Sequence, residues 1–123
     1  MLAPLVAFFG TVLLFQTVFL VGVVPSASME PILHAGDPVL GVRLIEEIRT
    51  GDIIVFRHEG KLLVKRVAAT EGENVIRGGD TLTVPAGSFY VLGDNAENSL
   101  DSRYWEDPFV QSEDVLARVF GVE

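Results

Sequence analysis

The 123-residue chain carries 17 acidic against 9 basic side chains, a formal charge of −8, and no cysteine. That balance excludes the basic stripe needed to neutralise a nucleic-acid backbone, and it offers no attraction to anionic lipid headgroups. Without thiols there are no disulfides, thiolate metal sites or cysteine nucleophiles. The length suits one domain. Hydrophobic residues make up 49% of the chain, and the excess is concentrated at the N-terminus, where the first charged side chain is Glu30.

Leu5 to Val24 contains only Thr11, Gln16 and Thr17 as polar side chains. At ~1.5 Å per residue, a helix of that length spans about 30 Å, the hydrocarbon thickness of a bilayer. Apolar residues lie all round it, so a transmembrane helix is expected, closed by Pro25. Ser26-Ala27-Ser28 also has the small-x-small look of a signal cleavage site, but no Lys or Arg precedes the apolar run. Charge bias gives no orientation, because the nearest basic residue is Arg43. The expected organisation is an anchor over residues 1–25 and a β-rich domain over 26–123.

From Asp37 onward the punctuation is that of short strands. Pro38 to Leu44 reads as a strand, and Arg49-Thr50-Gly51-Asp52 as a turn. Ile53 to Phe56 is a β-branched run typical of a buried strand. His58-Glu59-Gly60 turns the chain back into Lys61 to Ala69. Asn74 to Arg77 and Thr81 to Val84 form a second hairpin around Gly78-Gly79. Phe89 to Leu92 and Val115 to Val122 complete a small, mainly β fold.

Three stretches could carry chemistry. In a strand, Leu63, Lys65, Val67 and Ala69 share one face, which puts Lys65 in an apolar row with no carboxylate two residues away. Burial there favours the neutral amine. With an ordinary pKa near ~10.4, only about one lysine in 2,500 is neutral at pH 7, so such a shift decides whether Lys65 can accept a serine proton. The alternative is an exposed Lys-Arg pair on an edge strand. Ser26 and Ser28 follow a proline, where serines commonly make a turn or a helix cap. If the segment is extended, they project to one side, and one could attack a carbonyl while the other donates to the oxyanion. His34 and His58, the only histidines, read as a loop and a hairpin-turn residue, leaving no Ser-His-Asp set. In Gly93 to Arg103, an EF-hand starting at Asp94 would need Gly at 99 and Glu at 105, where Ser99 and Trp105 stand. No metal or other cofactor is expected. Asp101 and Arg103 are spaced to pair across a turn and to hold Ser99, which could orient a lysine amine.

Taken together, these stretches resemble the bacterial type I signal peptidases, membrane-bound serine proteases with a Ser-Lys dyad. Ser26 to Leu33 matches the nucleophile box. Gly51 to Phe56 with Val64-Lys65-Arg66-Val67 matches the general-base boxes. Gly93-Asp94-Asn95 with Ser99 to Arg103 matches the last. The resemblance implies Ser28 as nucleophile, Lys65 as general base and Ser26 as oxyanion donor beside the Ser28 N–H. Ser99 would hold the amine, Asp101 and Arg103 would form a structural pair, and Asp94 and Arg66 would support. Val24, Met29, Leu33, Leu63 and Val64 would line shallow pockets for small side chains at the −1 and −3 positions. The implied partners are the bilayer and extended preprotein signal peptides, with the catalytic domain on the extracytoplasmic side of the cell membrane in a single-pass protein. Ala96 stands where the family usually has Arg after Gly-Asp-Asn, and Glu106 where a glycine commonly follows the last box. About ten residues separate the base region from Pro85, so the large inserted domain of many members is absent. Two other readings are a self-cleaving Ser-Lys protease and an anchored β-domain that only binds extended peptides.

Overall fold

The computed structural model describes residues 19–23, 27–42 and 47–119. Within them lie nine strands: β1 (Phe19–Val23), β2 (Pro38–Val42), β3 (Ile53–His58), β4 (Lys61–Thr70), β5 (Asn74–Arg77), β6 (Asp80–Thr83), β7 (Ser88–Leu92), β8 (Phe109–Gln111) and β9 (Val115–Val119). Seven form one antiparallel sheet in the order β1-β2-β9-β3-β4-β7-β8, and β5-β6 stands apart as a hairpin. Mainly β is therefore the fold class.

The central pair is built by turn chemistry. Glu59 and Gly60 both take positive φ, 50° and 77°, the two-residue geometry whose twist matches antiparallel strands. It sets Ile54 opposite Lys65 and His58 opposite Lys61. The same device at Gly78 and Gly79 (φ 59° and 87°) closes β5 on β6. That single hairpin is all that joins β4 to β7 apart from its flanking turns. The turn after β4 is tied back by Glu73, whose Oε1 accepts from the Thr70 N–H and from the hydroxyls of Thr70 and Thr50.

One expectation needs correcting. Phe19–Val23, expected as the end of a membrane helix, is a strand paired antiparallel with Pro38–Val42, Phe19 opposite Val42 and Val23 opposite Pro38. A continuous apolar run does not by itself distinguish a buried strand from a helix, and the partner strand lies some fifteen residues away. Residues 1–18, which hold the rest of the expected helix, lie outside the described residues. Among the described residues no helix is long and apolar enough to cross a membrane. Residues 43–44 at the end of the expected second strand, and 120–122 at the end of the last, are also outside them. β8 was not anticipated: three residues behind Pro108 give too short a pattern to read.

The apolar side chains gather into clusters that bracket β3 and β4. Met29, Leu33, Ile53, Val55, Val64, Ala117 and Val119 form one. Ile54, Phe56, Val67, Val91 and Val110 form a second, with Leu63 and Trp105 against it. Neighbouring residues on β3 and β4 thus alternate between the two. A sheet covered on both faces shields whatever polar group sits within it, and Lys65 is such a group.

Candidate active site

Lys65 lies mid-way along β4 with only 3% of its surface exposed. Burial is the largest influence on its amine and lowers its pKa below the ordinary 10.5; Asp101 raises it and Arg103 lowers it. The amine has no ion pair among the described residues; it donates to Ser99 Oγ at 3.0 Å. The Ser99 hydroxyl donates in turn to Asp101 Oδ2 at 2.8 Å. This fixes the direction of the chain. A hydroxyl has one proton, and with that proton on Asp101, Ser99 presents lone pairs to Lys65. A neutral amine can then donate an N–H hydrogen bond to Ser99 and still keep its own lone pair for another hydroxyl.

Asp101 is fully buried and accepts five hydrogen bonds. Its Oδ2 takes the Gly93 N–H (2.9 Å), Ser99 Oγ and Arg103 Nη2 (2.9 Å). Its Oδ1 takes Arg103 Nε (2.8 Å) and the Arg103 N–H (3.1 Å). Burial would push this carboxyl up, but the hydrogen bonds from Arg103, Gly93 and Ser99 hold it below the usual carboxylate range. It stays charged, and Ser99 stays oriented. Ser102, also fully buried, pins the loop to β7: its Oγ accepts the Val91 N–H at 2.9 Å and its N–H reaches the Val91 carbonyl.

Ser28 sits in a 3-10 turn, Ala27–Met29, and is 5% exposed. The turn closes through the Glu30 N–H on the Ala27 carbonyl, so residues 27–29 are not extended. The alternation that would set Ser26 and Ser28 on one side therefore does not apply, and Ser26, like Val24, lies outside the described residues. The turn packs against β4 and against a second 3-10 turn, Ala96–Asn98. Asn95 makes the join: its N–H donates to the Ser28 carbonyl at 2.7 Å, and its Nδ2 to the Ala27 carbonyl at 3.1 Å. Beside it the Asp94 N–H points at Met29 Sδ, 3.4 Å away. The loop that supports Lys65 through Ser99 and Asp101 thus also holds the backbone of Ser28.

Met29, Leu33 and Val64 lie together in the first apolar cluster, whereas Leu63, opposite Phe56, packs against the second. Neither histidine approaches the lysine. His34 is exposed, its Nδ1 3.2 Å from Glu30 Oε1. His58 stacks on Trp105, ring centroids 3.9 Å apart, four strand residues or ~13 Å from the level of Lys65. Among the described residues no cluster of acidic or histidine side chains is placed to hold a metal ion.

Arg66 grips Asp94 through two 2.8 Å bonds and reaches the Gly51 carbonyl at 2.7 Å. It joins the turn before β3, β4 and the Asn95 loop. The Asp94 hydrogen bond raises the guanidinium's pKa. Arg66→Ala leaves a part-buried carboxylate without its partner, at an expected cost of about 1–3 kcal/mol. Arg66→Lys recovers only part of it, since an ammonium cannot make the paired contact. Denaturant unfolding of the two variants checks the order.

The sequence alone gives Asn95 and Gly93 no role beyond their place in the Gly93-Asp94-Asn95 motif. Their contacts reach back about 65 residues, and no spacing rule shows that.

A lysine whose pKa burial lowers, propped by one serine and sharing a loop with the backbone of another, has the parts of a nucleophilic hydrolase site that needs no histidine. The signal peptidase, peptidase S26 family model matches residues 1–84 and 76–122, and the chain belongs to that family. It is 30% identical to the probable signal peptidase I-2 of Synechocystis sp., over 79% of this chain and 59% of that protein. It is likewise 30% identical to a signal peptidase I of Bacillus amyloliquefaciens, over 82% of this chain and 74% of that protein. Mouse mitochondrial inner membrane protease subunit 1 is 31% identical over 63% of this chain and 54% of its own length. The matches to two Pseudomonas signal peptidases I span only 16% and 13% of those proteins.

Proposed function

We propose that this chain is a membrane-anchored serine endopeptidase that removes signal or leader peptides after small-x-small sites, with Ser28 as nucleophile and Lys65 as general base. The observation that carries this reading is the Lys65 amine, 3% exposed, depressed in pKa, and held at 3.0 Å by a serine whose own proton is committed elsewhere. The family supports it, as do the relatives named as signal peptidases.

In the reaction, neutral Lys65 Nζ takes the Ser28 Oγ proton as the oxygen attacks the scissile carbonyl. The Ser28 N–H and the Ser26 hydroxyl receive the developing oxyanion. The ammonium then gives its proton to the leaving amine, and the acyl group remains as an ester on Ser28. Water, deprotonated by the restored amine, attacks that ester, and the ammonium so formed protonates Ser28 Oγ as the acyl group leaves as the carboxylic acid. Asp101, Arg103, Asp94 and Arg66 hold the framework and do not touch the reacting atoms. The substrate binds extended, adding its backbone as a strand. The resemblance assigns its small side chains to shallow pockets of Val24, Met29, Leu33, Leu63 and Val64, of which Met29, Leu33 and Val64 share one apolar cluster. The apolar stretch ahead of β1 anchors the protein, and the sheet lies on the extracytoplasmic side.

Incubation with a peptide carrying alanine at −1 and −3 tests the reading. Cleavage between the −1 residue and the next is expected, and Ser28→Ala is expected to eliminate it while the melting curve is retained. Cleavage that survives in Ser28→Ala sinks the assignment.

A further inference from the structure

The β5-β6 hairpin stands outside the main sheet, yet one of its side chains reaches the site loop. Arg77, at the end of β5, donates through Nε to the Arg103 carbonyl (3.1 Å) and through Nη2 to the Trp105 carbonyl (2.6 Å). These donors lie along one edge of the guanidinium, a fixed fork that matches two neighbouring acceptors. The acceptors belong to a closed turn, in which the Tyr104 and Trp105 N–H groups both bond the Asp101 carbonyl. We infer that Arg77 is a positioning residue: by clamping the outer side of the Asp101–Trp105 turn, it keeps Asp101 on Ser99 and Ser99 on the Lys65 amine.

Packing alone does not hold this loop. Leu100 and Tyr104 are 74% and 60% exposed, so the segment between Ser99 and Trp105 presents its largest apolar side chains outward. Its polar anchors on the sheet side are Lys65 on Ser99, the Gly93 N–H on Asp101, and Ser102 on β7; Arg103 Nη2 reaches the Ala96 carbonyl at 3.1 Å, and Arg77 holds the segment from outside the sheet. The Trp105 ring rests on Phe56 and His58, and Arg77 fixes the carbonyl of that same residue. Among the described residues the charges that act on the Lys65 amine are Asp101 and Arg103, both carried by this loop, while its strand partner Ile54 is apolar. When the loop loosens, water reaches the amine. Burial is the dominant influence on Lys65, so its loss moves the amine back toward the ordinary lysine range.

The activity readout rests on the Ser28-Lys65 reading; the clamp itself is read from the titration of Lys65. Arg77→Met removes both donors and keeps the apolar stem, and Arg77→Lys keeps the charge with a single point donor. NMR titration of the Lys65 side chain and kcat and KM across pH are measured for each. Arg77→Met is expected to move the Lys65 titration upward and to lower kcat at neutral pH by roughly tenfold with KM little changed, a deficit that narrows as pH rises. Arg77→Lys is expected to fall between the parent and Arg77→Met. A folded Arg77→Met protein with the parent's Lys65 titration overturns the inference. Should Arg77→Met not fold, Arg77→Lys decides it alone: an upward shift supports the clamp and an unchanged titration defeats it. If the parent cleaves no peptide but Lys65 responds to residue 77, the clamp stands and the endopeptidase reading falls.

Discussion

Lys65→Met is expected to reduce cleavage by about 10³-fold or more while leaving the protein at least as stable as its parent at neutral pH. The two effects have one source. The amine is 3% exposed and its pKa is lowered chiefly by burial, so the fold works against its charged form. Below the midpoint of the folded state, Lys65 is protonated in both native and unfolded chains, and the native state bears the full desolvation cost. As pH rises through that midpoint toward 10.5, the native state releases its proton first. The unfolded chain then binds more protons, and stability increases with pH. Each unit of depression corresponds to about 1.4 kcal/mol. Methionine has similar length and no charge, so its advantage is greatest below the folded midpoint and fades toward 10.5. Denaturant midpoints at neutral pH and near pH 10 measure this.

Activity turns on the same midpoint and also rises with pH, but below the midpoint rather than above it. In the proposed reaction only the neutral amine accepts the Ser28 proton, so kcat/KM is expected to climb tenfold per pH unit below the midpoint and then level off. Lys65→Arg separates charge from length. Its guanidinium stays protonated at any accessible pH, so it is expected to be as inactive as Lys65→Met and less stable. An active Lys65→Arg protein, or a Lys65→Met protein clearly weaker than its parent at neutral pH, would contradict the claim that burial lowers the pKa of this amine and that its neutral form is the base.

The strands around Lys65 are legible because two short-range rules agree there. Ile53 to Phe56 is β-branched, and Glu59-Gly60 is a two-residue turn signal, so the β3-β4 register follows almost without tertiary information. The Asp101 and Arg103 spacing is legible as an ion pair for the same reason: two residues across a turn are neighbours whatever the fold. What escapes is set by distance along the chain. β1 looks like the end of a helix until β2 pairs with it. β8 is too short for periodicity. Asn95 bonding Ala27 and Ser28, and Arg77 bonding Arg103 and Trp105, join segments that no local pattern links. The strand alternation behind Lys65 correctly finds an apolar row, but the charges that tune the amine arrive from a loop more than thirty residues on.

Gly93→Ala is expected to disable the site more thoroughly than loss of any single supporting hydrogen bond. Gly93 is not needed for an unusual backbone conformation, since it is absent from the positive-φ glycines. It is needed for space. A methyl group there would lie 2.5 Å from Ser99 Cβ and 2.6 Å from the Ser28 carbonyl oxygen, and closer still to Ser99 Oγ. Ser99 cannot yield by rotating alone, because its Cβ is in the way as well as its hydroxyl. The Ser28 carbonyl cannot yield without breaking its 2.7 Å bond from the Asn95 N–H. The Gly93 N–H is itself bound to Asp101, so a shift of residue 93 withdraws a donor from the carboxylate that orients Ser99. Overpacking of this kind costs about 1–3 kcal/mol when side chains can move and more when backbone must. Here about 3 kcal/mol is expected, with kcat down by about 10²-fold or more, because the Ser28 backbone and the serine that supports Lys65 are pushed apart by the same methyl group. Stability from denaturant unfolding and kcat on the alanine-site peptide measure both. A Gly93→Ala protein with the parent's melting curve and turnover would show that Ser28 and Ser99 do not converge on this glycine, and the link between Ser28 and Lys65 through one loop would go with it.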